Sequence, residues 1–92
     1  MTFEEGSELR YIGREAFSGC TNLSSIVLPP QVEMIGEYCF QQIGISLLSV
    51  PANIKEIQKG AYKGCSNLKT VVFSNESVLE KIGEKAFGGC KL

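Results

Sequence analysis

With 92 residues, 43% of them hydrophobic, and a formal net charge of −1, the chain has room for one small domain and lacks the basic excess that a nucleic-acid partner demands. His and Asp are absent, which removes histidine acid–base chemistry, Ser-His-Asp and Cys-His arrangements and most zinc sites. No apolar run is long enough to span a membrane, and the start Met1-Thr2-Phe3-Glu4-Glu5 lacks the basic and apolar regions of a signal peptide.

In chain order, Phe3 has the character of a closing strand residue, and Leu9 then stands three residues before Ile12-Gly13-Arg14-Glu15-Ala16-Phe17. This segment is too short for a full helix. Ala followed by an aromatic, with Gly19 two residues beyond, predicts one tight helical turn ended by glycine. Next comes Leu23-Ser24-Ser25-Ile26-Val27-Leu28-Pro29, whose Leu, Ile and Leu fall on one side of an extended segment. Pro29 cannot donate a ladder hydrogen bond and so marks the strand end. The pattern then restarts: Val32 precedes Ile35-Gly36-Glu37-Tyr38-Cys39-Phe40, followed by the strand Ile45-Ser46-Leu47-Leu48-Ser49-Val50-Pro51. It returns with Ile54, Ile57-Gln58-Lys59-Gly60-Ala61-Tyr62 and Leu68-Lys69-Thr70-Val71-Val72-Phe73, and a last time with Leu79 and Ile82-Gly83-Glu84-Lys85-Ala86-Phe87. The repeated Ile recurs at spacings of 23, 22 and 25 residues.

The two ends repeat each other most closely. Residues 3–20 and 73–90 align without a gap and are identical at nine of eighteen positions, among them Phe3/Phe73, Ser7/Ser77, Ile12/Ile82, Phe17/Phe87 and Cys20/Cys90. Such periodicity predicts stacked coils, because one coil cannot bury its apolar face alone.

These residues resemble the BspA-type leucine-rich repeats, with the pattern Leu-x-x-Ile-x-Leu-Pro followed by Val/Leu-x-x-Ile-Gly-x-x-Ala-Phe-x-x-Cys-x-x-Leu. The resemblance covers essentially the whole chain. It implies an α/β, β-dominated leucine-rich-repeat solenoid of about four coils of ~23 residues, with a parallel sheet and short helical turns. Residues 1–92 then form a single solenoid, a fragment of a longer array. Departures are Cys39 in place of Ala, Gln58 in place of Gly, Ile43 near the Cys position and a longer loop over 74–78. The resemblance also implies a protein-interaction or adhesion module at the cell surface or outside the cell, with a host matrix or cell-surface protein as partner, no cofactor and no enzymatic activity. The alternative is a structural spacer with no dedicated ligand.

Alternation along the strands places Ser25 and Val27, Leu47 and Ser49, and Thr70 and Val72 on the outward, concave side of the sheet, with Ser24, Ser46 and Lys69 at its margin. That surface is nearly uncharged and partly aliphatic, as interaction patches often are; it is also what strand propensity alone would select. Phe17, Phe40, Tyr62 and Phe87 read as a core ladder, with an aromatic binding stripe as the alternative. The cysteines Cys20, Cys39, Cys65 and Cys90 follow the repeat length and contain no C-x-x-C pair, so they read as buried free thiols, with a disulfide or metal site as alternatives. Asn22-Leu23-Ser24 and Asn75-Glu76-Ser77 fit the glycosylation sequon. Asn22 doubles as a turn residue, and Asn75, in the longer loop, is the better acceptor.

Residues 1–50 carry two arginines against six glutamates, a balance of −4, and residues 51–92 carry seven lysines against four glutamates, a balance of +3. With no recognisable capping repeat, the terminal coils are expected to expose apolar residues and strand edges. Such ends allow self-association through the terminal coils.

Overall fold

The computed structural model describes residues 8–91, so Phe3, Ser7 and Leu92 lie outside the described residues. Two apolar spacings in each repeat generate two ladders. Leu-x-x-Ile-x-Leu builds β3 (Leu47–Val50) and β5 (Thr70–Phe73). These pair in parallel with Leu47 opposite Thr70, Leu48 opposite Val71, Ser49 opposite Val72 and Val50 opposite Phe73. That register stacks equivalent repeat positions on one another. The corresponding segment of the first repeat forms only a single bridge, at Val27.

The second ladder was not anticipated. The segments expected merely to return the chain also pair: β1 (Tyr11–Ile12) with β2 (Met34–Ile35), and β4 (Glu56–Ile57) with β6 (Lys81–Ile82). Each is two residues long, below what a period-two pattern can reveal. Ile12, Ile35 and Ile57 face the core, whereas Ile82 is 57% exposed because no further coil covers it among the described residues.

Between return segment and strand lies a layer of turns. No helix occurs among the described residues, so the expected helical turns are replaced by something else. Glu15, Tyr38, Gly60 and Lys85, the second variable position of each repeat, have φ of 59°, 55°, 63° and 55°. Gly19, Gln42, Gly64 and Gly89 follow at 79°, 62°, 76° and 78°. Left-handed residues stop a right-handed helix from propagating. They also turn alternate N–H groups sideways, toward the next coil. Glu15, Phe17 and Gly19 donate to the carbonyls of Glu37, Cys39 and Gln41 at 3.0, 2.9 and 2.9 Å. Tyr38, Phe40 and Gln42 donate to Lys59, Ala61 and Lys63 at 3.1, 2.8 and 2.8 Å. Gly60, Tyr62 and Gly64 donate to Glu84, Ala86 and Gly88 at 3.0, 2.8 and 2.7 Å. Each lateral bond contributes on the order of 1 kcal/mol, similar in size to the strain of a left-handed non-glycine residue.

The core lies between these layers and is entirely apolar: among the described residues no polar or charged residue is buried. Val32 and Ile54 anchor the return segments inside it, with Leu9 and Leu79 partly covered at the two ends. The four aromatics form a continuous stack, with centroids 5.3 Å apart for Phe17–Phe40, 5.4 Å for Phe40–Tyr62 and 5.6 Å for Tyr62–Phe87. Phe40 and Tyr62 are fully enclosed, which disposes of an aromatic binding stripe. Close stacking also fixes a glycine. A Cβ on Gly36 would sit 2.5 Å from the Arg14 nitrogen and 2.7 Å from the Gly13 carbonyl carbon.

Candidate functional site

In β3 and β5 every second side chain must leave the core, and the sequence fills those positions with Leu47, Ser49, Thr70 and Val72. The parallel register sets Leu47 beside Thr70 and Ser49 beside Val72. Val27 continues the same face on the first repeat, with Ser25 preceding it. All six outward positions are exposed, Val27 by 64%, Leu47 by 56% and Val72 by 46%. At the margin, Ser24, Ser46 and Lys69 are exposed too, and the Ser46 carbonyl accepts from the Lys69 and Thr70 amides at 2.9 and 3.3 Å.

Between the first repeat and β3 the face is indented. A half-open groove of about 410 Å³ runs between Val27, Leu28 and Pro30 on one side and Leu47, Val50 and Pro51 on the other. No charged residue lines it. Pro30 and Pro51, which follow the first two strand segments, thus also wall the groove, a consequence that strand-end reasoning alone did not expose.

A second, polar groove of about 240 Å³ lies on the return ladder, among Tyr11, Glu33, Met34, Asn53, Lys55 and Glu56. Arg10 and Glu33 pair nearby at 3.6 Å between two largely exposed side chains, a contact worth little in water. The sequence carries only a partial signal for this face: of the residues before each repeated Ile, Glu56 and Lys81 are charged, whereas Tyr11 and Met34 are exposed hydrophobics.

The cysteines divide by environment, and the expectation of four buried thiols needs correction. Cys39 and Cys65 are buried, Cys90 is half-buried and Cys20 is exposed; all four are free. The reason is directional. At the repeated cysteine position the thiol donates back to the aromatic carbonyl of the preceding coil: Cys65 Sγ to Phe40 O and Cys90 Sγ to Tyr62 O, each at 3.2 Å. Cys20 has no such coil behind it among the described residues, and Ile43 fills the position in the second repeat, buried. Burial pushes the Cys39 and Cys65 thiols up from 9.0 to about 11 and raises that of Cys90 as well. These are poor nucleophiles and poor metal ligands, since both roles require the thiolate.

Asn22 and Asn75 are both exposed. Asn75 sits in a turn held by Ser77 N–H to Ser74 O at 3.0 Å and Glu76 N–H to Ser74 Oγ at 3.1 Å. Among the described residues no group of three or more Cys or Glu side chains is placed to hold a metal ion, and no helix is long and apolar enough to cross a membrane.

Comparison with known proteins agrees with this architecture. A family profile described as a BspA type leucine rich repeat region (6 copies) matches residues 1–92. Among solved structures, a leucine-rich repeat protein from Bacteroides ovatus ATCC 8483 is similar, with 32% sequence identity and a TM-score of 0.80 over 88% of this chain. The present chain covers 21% of that one. No curated protein matches.

Proposed function

Because the chain belongs to the BspA-type leucine-rich-repeat family, we propose that it is a protein-interaction module that binds through the exposed face of β3 and β5 and the groove beside it. The observation that carries this reading is the cluster Val27, Leu47 and Val72, three aliphatic side chains held in water on one uncharged face. Folding gains nothing from leaving them there, whereas a partner that covers them removes apolar area from water at about 25 cal/mol per Å². The neighbouring Ser25, Ser49 and Thr70 hydroxyls supply donors and acceptors at the rim. The occupant that fits is a protein surface of matching apolar character, not a polyanion. The family's association with surface proteins points to a host matrix or cell-surface protein, and hence to adhesion outside the cell, with no catalytic step.

The test is substitution on the face. Val27→Lys and Val72→Lys add charge at outward positions, so the circular dichroism spectrum and the melting temperature should stay close to those of the parent. Against a panel of extracellular matrix proteins on a biosensor, any protein bound by the parent should bind the double variant at least tenfold more weakly, since truncating or charging central contacts commonly costs more than about 1.4 kcal/mol. Undiminished binding by the folded double variant would remove this face as the site.

A further inference from the structure

The polar groove of the return ladder has a lining of its own kind. Ile12, Ile35 and Ile57 face the core, so the residue before each of them turns outward. The pairing of β1 with β2 sets Tyr11 beside Met34, and β2 in turn lies beside β4, which brings Glu56 to the next rung. The groove of about 240 Å³ spans these three rungs, and Glu33, Asn53, Lys55 and Gln58 complete its lining. All but Tyr11 belong to the second and third coils, which have a neighbouring coil on both sides, so register inside the stack places the groove.

Two kinds of surface meet there. Tyr11 is 63% exposed and Met34 46%, so an aromatic ring and a flexible thioether form an apolar platform. Around it stand hydrogen-bonding groups of both senses. The Glu33 and Glu56 carboxylates accept, the Lys55 ammonium donates, and the Asn53 and Gln58 amides do both. The main chain beneath is pinned: the Glu33 and Met34 amides donate to the Arg10 carbonyl at 2.8 and 3.1 Å, and the Lys55 carbonyl accepts from Glu80 and Lys81 at 2.7 and 3.2 Å. Asn53 Nδ2 donates to the Pro30 carbonyl at 3.5 Å, which leaves its Oδ1 and a second amide hydrogen for a ligand.

A sugar ring presents the matching pair of surfaces. Its C–H face packs on an aromatic ring, and the hydroxyls at its edge both donate and accept. Other ligand classes fit less well. Two carboxylates against one ammonium disfavour an anion. An apolar ligand strips water from carboxylates and amides without replacing the lost hydrogen bonds. At about 240 Å³ the groove is smaller than the ~300–1,000 Å³ of sites for drug-sized ligands, and it suits one ring.

We propose that this groove binds a neutral saccharide, one ring stacked on Tyr11 against Met34 with its hydroxyls held by Asn53, Glu56 and Gln58. The groove is half open, so a single ring binds weakly, with a dissociation constant on the order of 1 mM. The site lies on the return ladder and leaves the β3–β5 face free, so it stands or falls separately from protein binding.

Amide NMR shifts of the chain, titrated to about 50 mM with neutral disaccharides built from glucose, galactose, mannose and N-acetylglucosamine, are the test. Expected for at least one of them are saturable shifts centred on Tyr11, Glu33, Met34 and residues 53–58, indifferent to salt because the ligand carries no charge. Tyr11→Ala should weaken binding about tenfold and Tyr11→Phe should not, since the ring and not the hydroxyl makes the contact. Gln58→Ala should weaken it about threefold, with circular dichroism showing an intact fold in each case. The strand-face variant carrying Val27→Lys and Val72→Lys should bind the sugar as the parent does. Equal affinity for the free disaccharide and for the same sugar at the end of a polysaccharide assigns the free sugar as ligand, and tighter capture by the polysaccharide assigns the chain-borne one. No saturable shift with any of the panel, shifts centred on the strand face, preference for a uronate or sulfated sugar over its neutral counterpart, or a folded Tyr11→Ala variant that binds like the parent would overturn the proposal.

Discussion

Replacing Phe40 by Ala tests whether the aromatic stack holds the coils together. Phe40 is 0% exposed and lies between Phe17 and Tyr62 at centroid distances of 5.3 and 5.4 Å, with ring planes inclined by 5° and 10°. Truncation removes a fully buried phenyl ring, which at ~25 cal/mol per Å² corresponds to about 3–4 kcal/mol. It also leaves a cavity and ends two ring contacts, so the expected loss is at the upper part of the ~3–5 kcal/mol range for Phe→Ala in cores. A domain of this length has a total stability on the order of 5–14 kcal/mol. The loss should therefore be plain in urea unfolding followed by circular dichroism, as a large fall in midpoint. Phe87→Ala is the internal control. It removes the same ring from a half-buried end position with one stacked neighbour, and should cost about half as much. A Phe40→Ala protein that unfolds cooperatively within about 1.5 kcal/mol of the parent would refute the reasoning. So would one no less stable than Phe87→Ala.

The thiols should react in order of exposure: Cys20 within the mixing time of a maleimide reagent, Cys90 more slowly, and Cys39 and Cys65 only on unfolding, read by mass spectrometry of the labelled chain. A disulfide at Cys65 or Cys90 in the native protein would contradict the geometry of their thiol-to-carbonyl bonds. Stability should hold below pH 9 and decline from there to about pH 11, because the folded state keeps Cys39 and Cys65 protonated above the pH at which the unfolded chain ionises them. Each thiol contributes at most about 1.4 kcal/mol per pH unit over that window, and the urea midpoint of a Cys39→Ala, Cys65→Ala variant should be less sensitive to alkali; equal sensitivity would place the cause elsewhere. Gly36→Ala should cost about 1–3 kcal/mol, since its Cβ would press on the backbone of Gly13 and Arg14, whereas Gly13→Ala, with nothing within 4 Å, should be nearly neutral in thermal melts.

Much of the architecture was legible because a parallel stack converts sequence period into spatial register. Equivalent positions such as Leu48 and Val71 become neighbours, so a single alignment of the repeats predicts both pairing and inward face. The outward six residues followed from alternation in the same way. The turn layer was not legible. Its left-handed positions hold Glu15, Tyr38 and Lys85 as well as Gly60, because the requirement falls on the backbone and is met by lateral hydrogen bonds, with no demand on side-chain type. The exposure of Cys20 was missed for a related reason. Composition marks a cysteine as apolar, but only the direction of stacking says whether another coil lies behind it. The groove was not legible either: Val27 forms a single bridge where β3 and β5 are full strands, and nothing in Ser24-Ser25-Ile26-Val27 distinguishes the two.

The central claim, that partners dock on the strand side of the stack, is tested most directly by amide hydrogen exchange with and without a saturating matrix protein that the parent chain binds. The account predicts slowed exchange over residues 23–30, 45–52 and 68–74, with the return ladder at Tyr11–Ile12, Met34–Ile35 and Glu56–Ile57 unchanged. Protection confined to that return ladder and its polar groove, with the strand side exchanging as in the free chain, would contradict it.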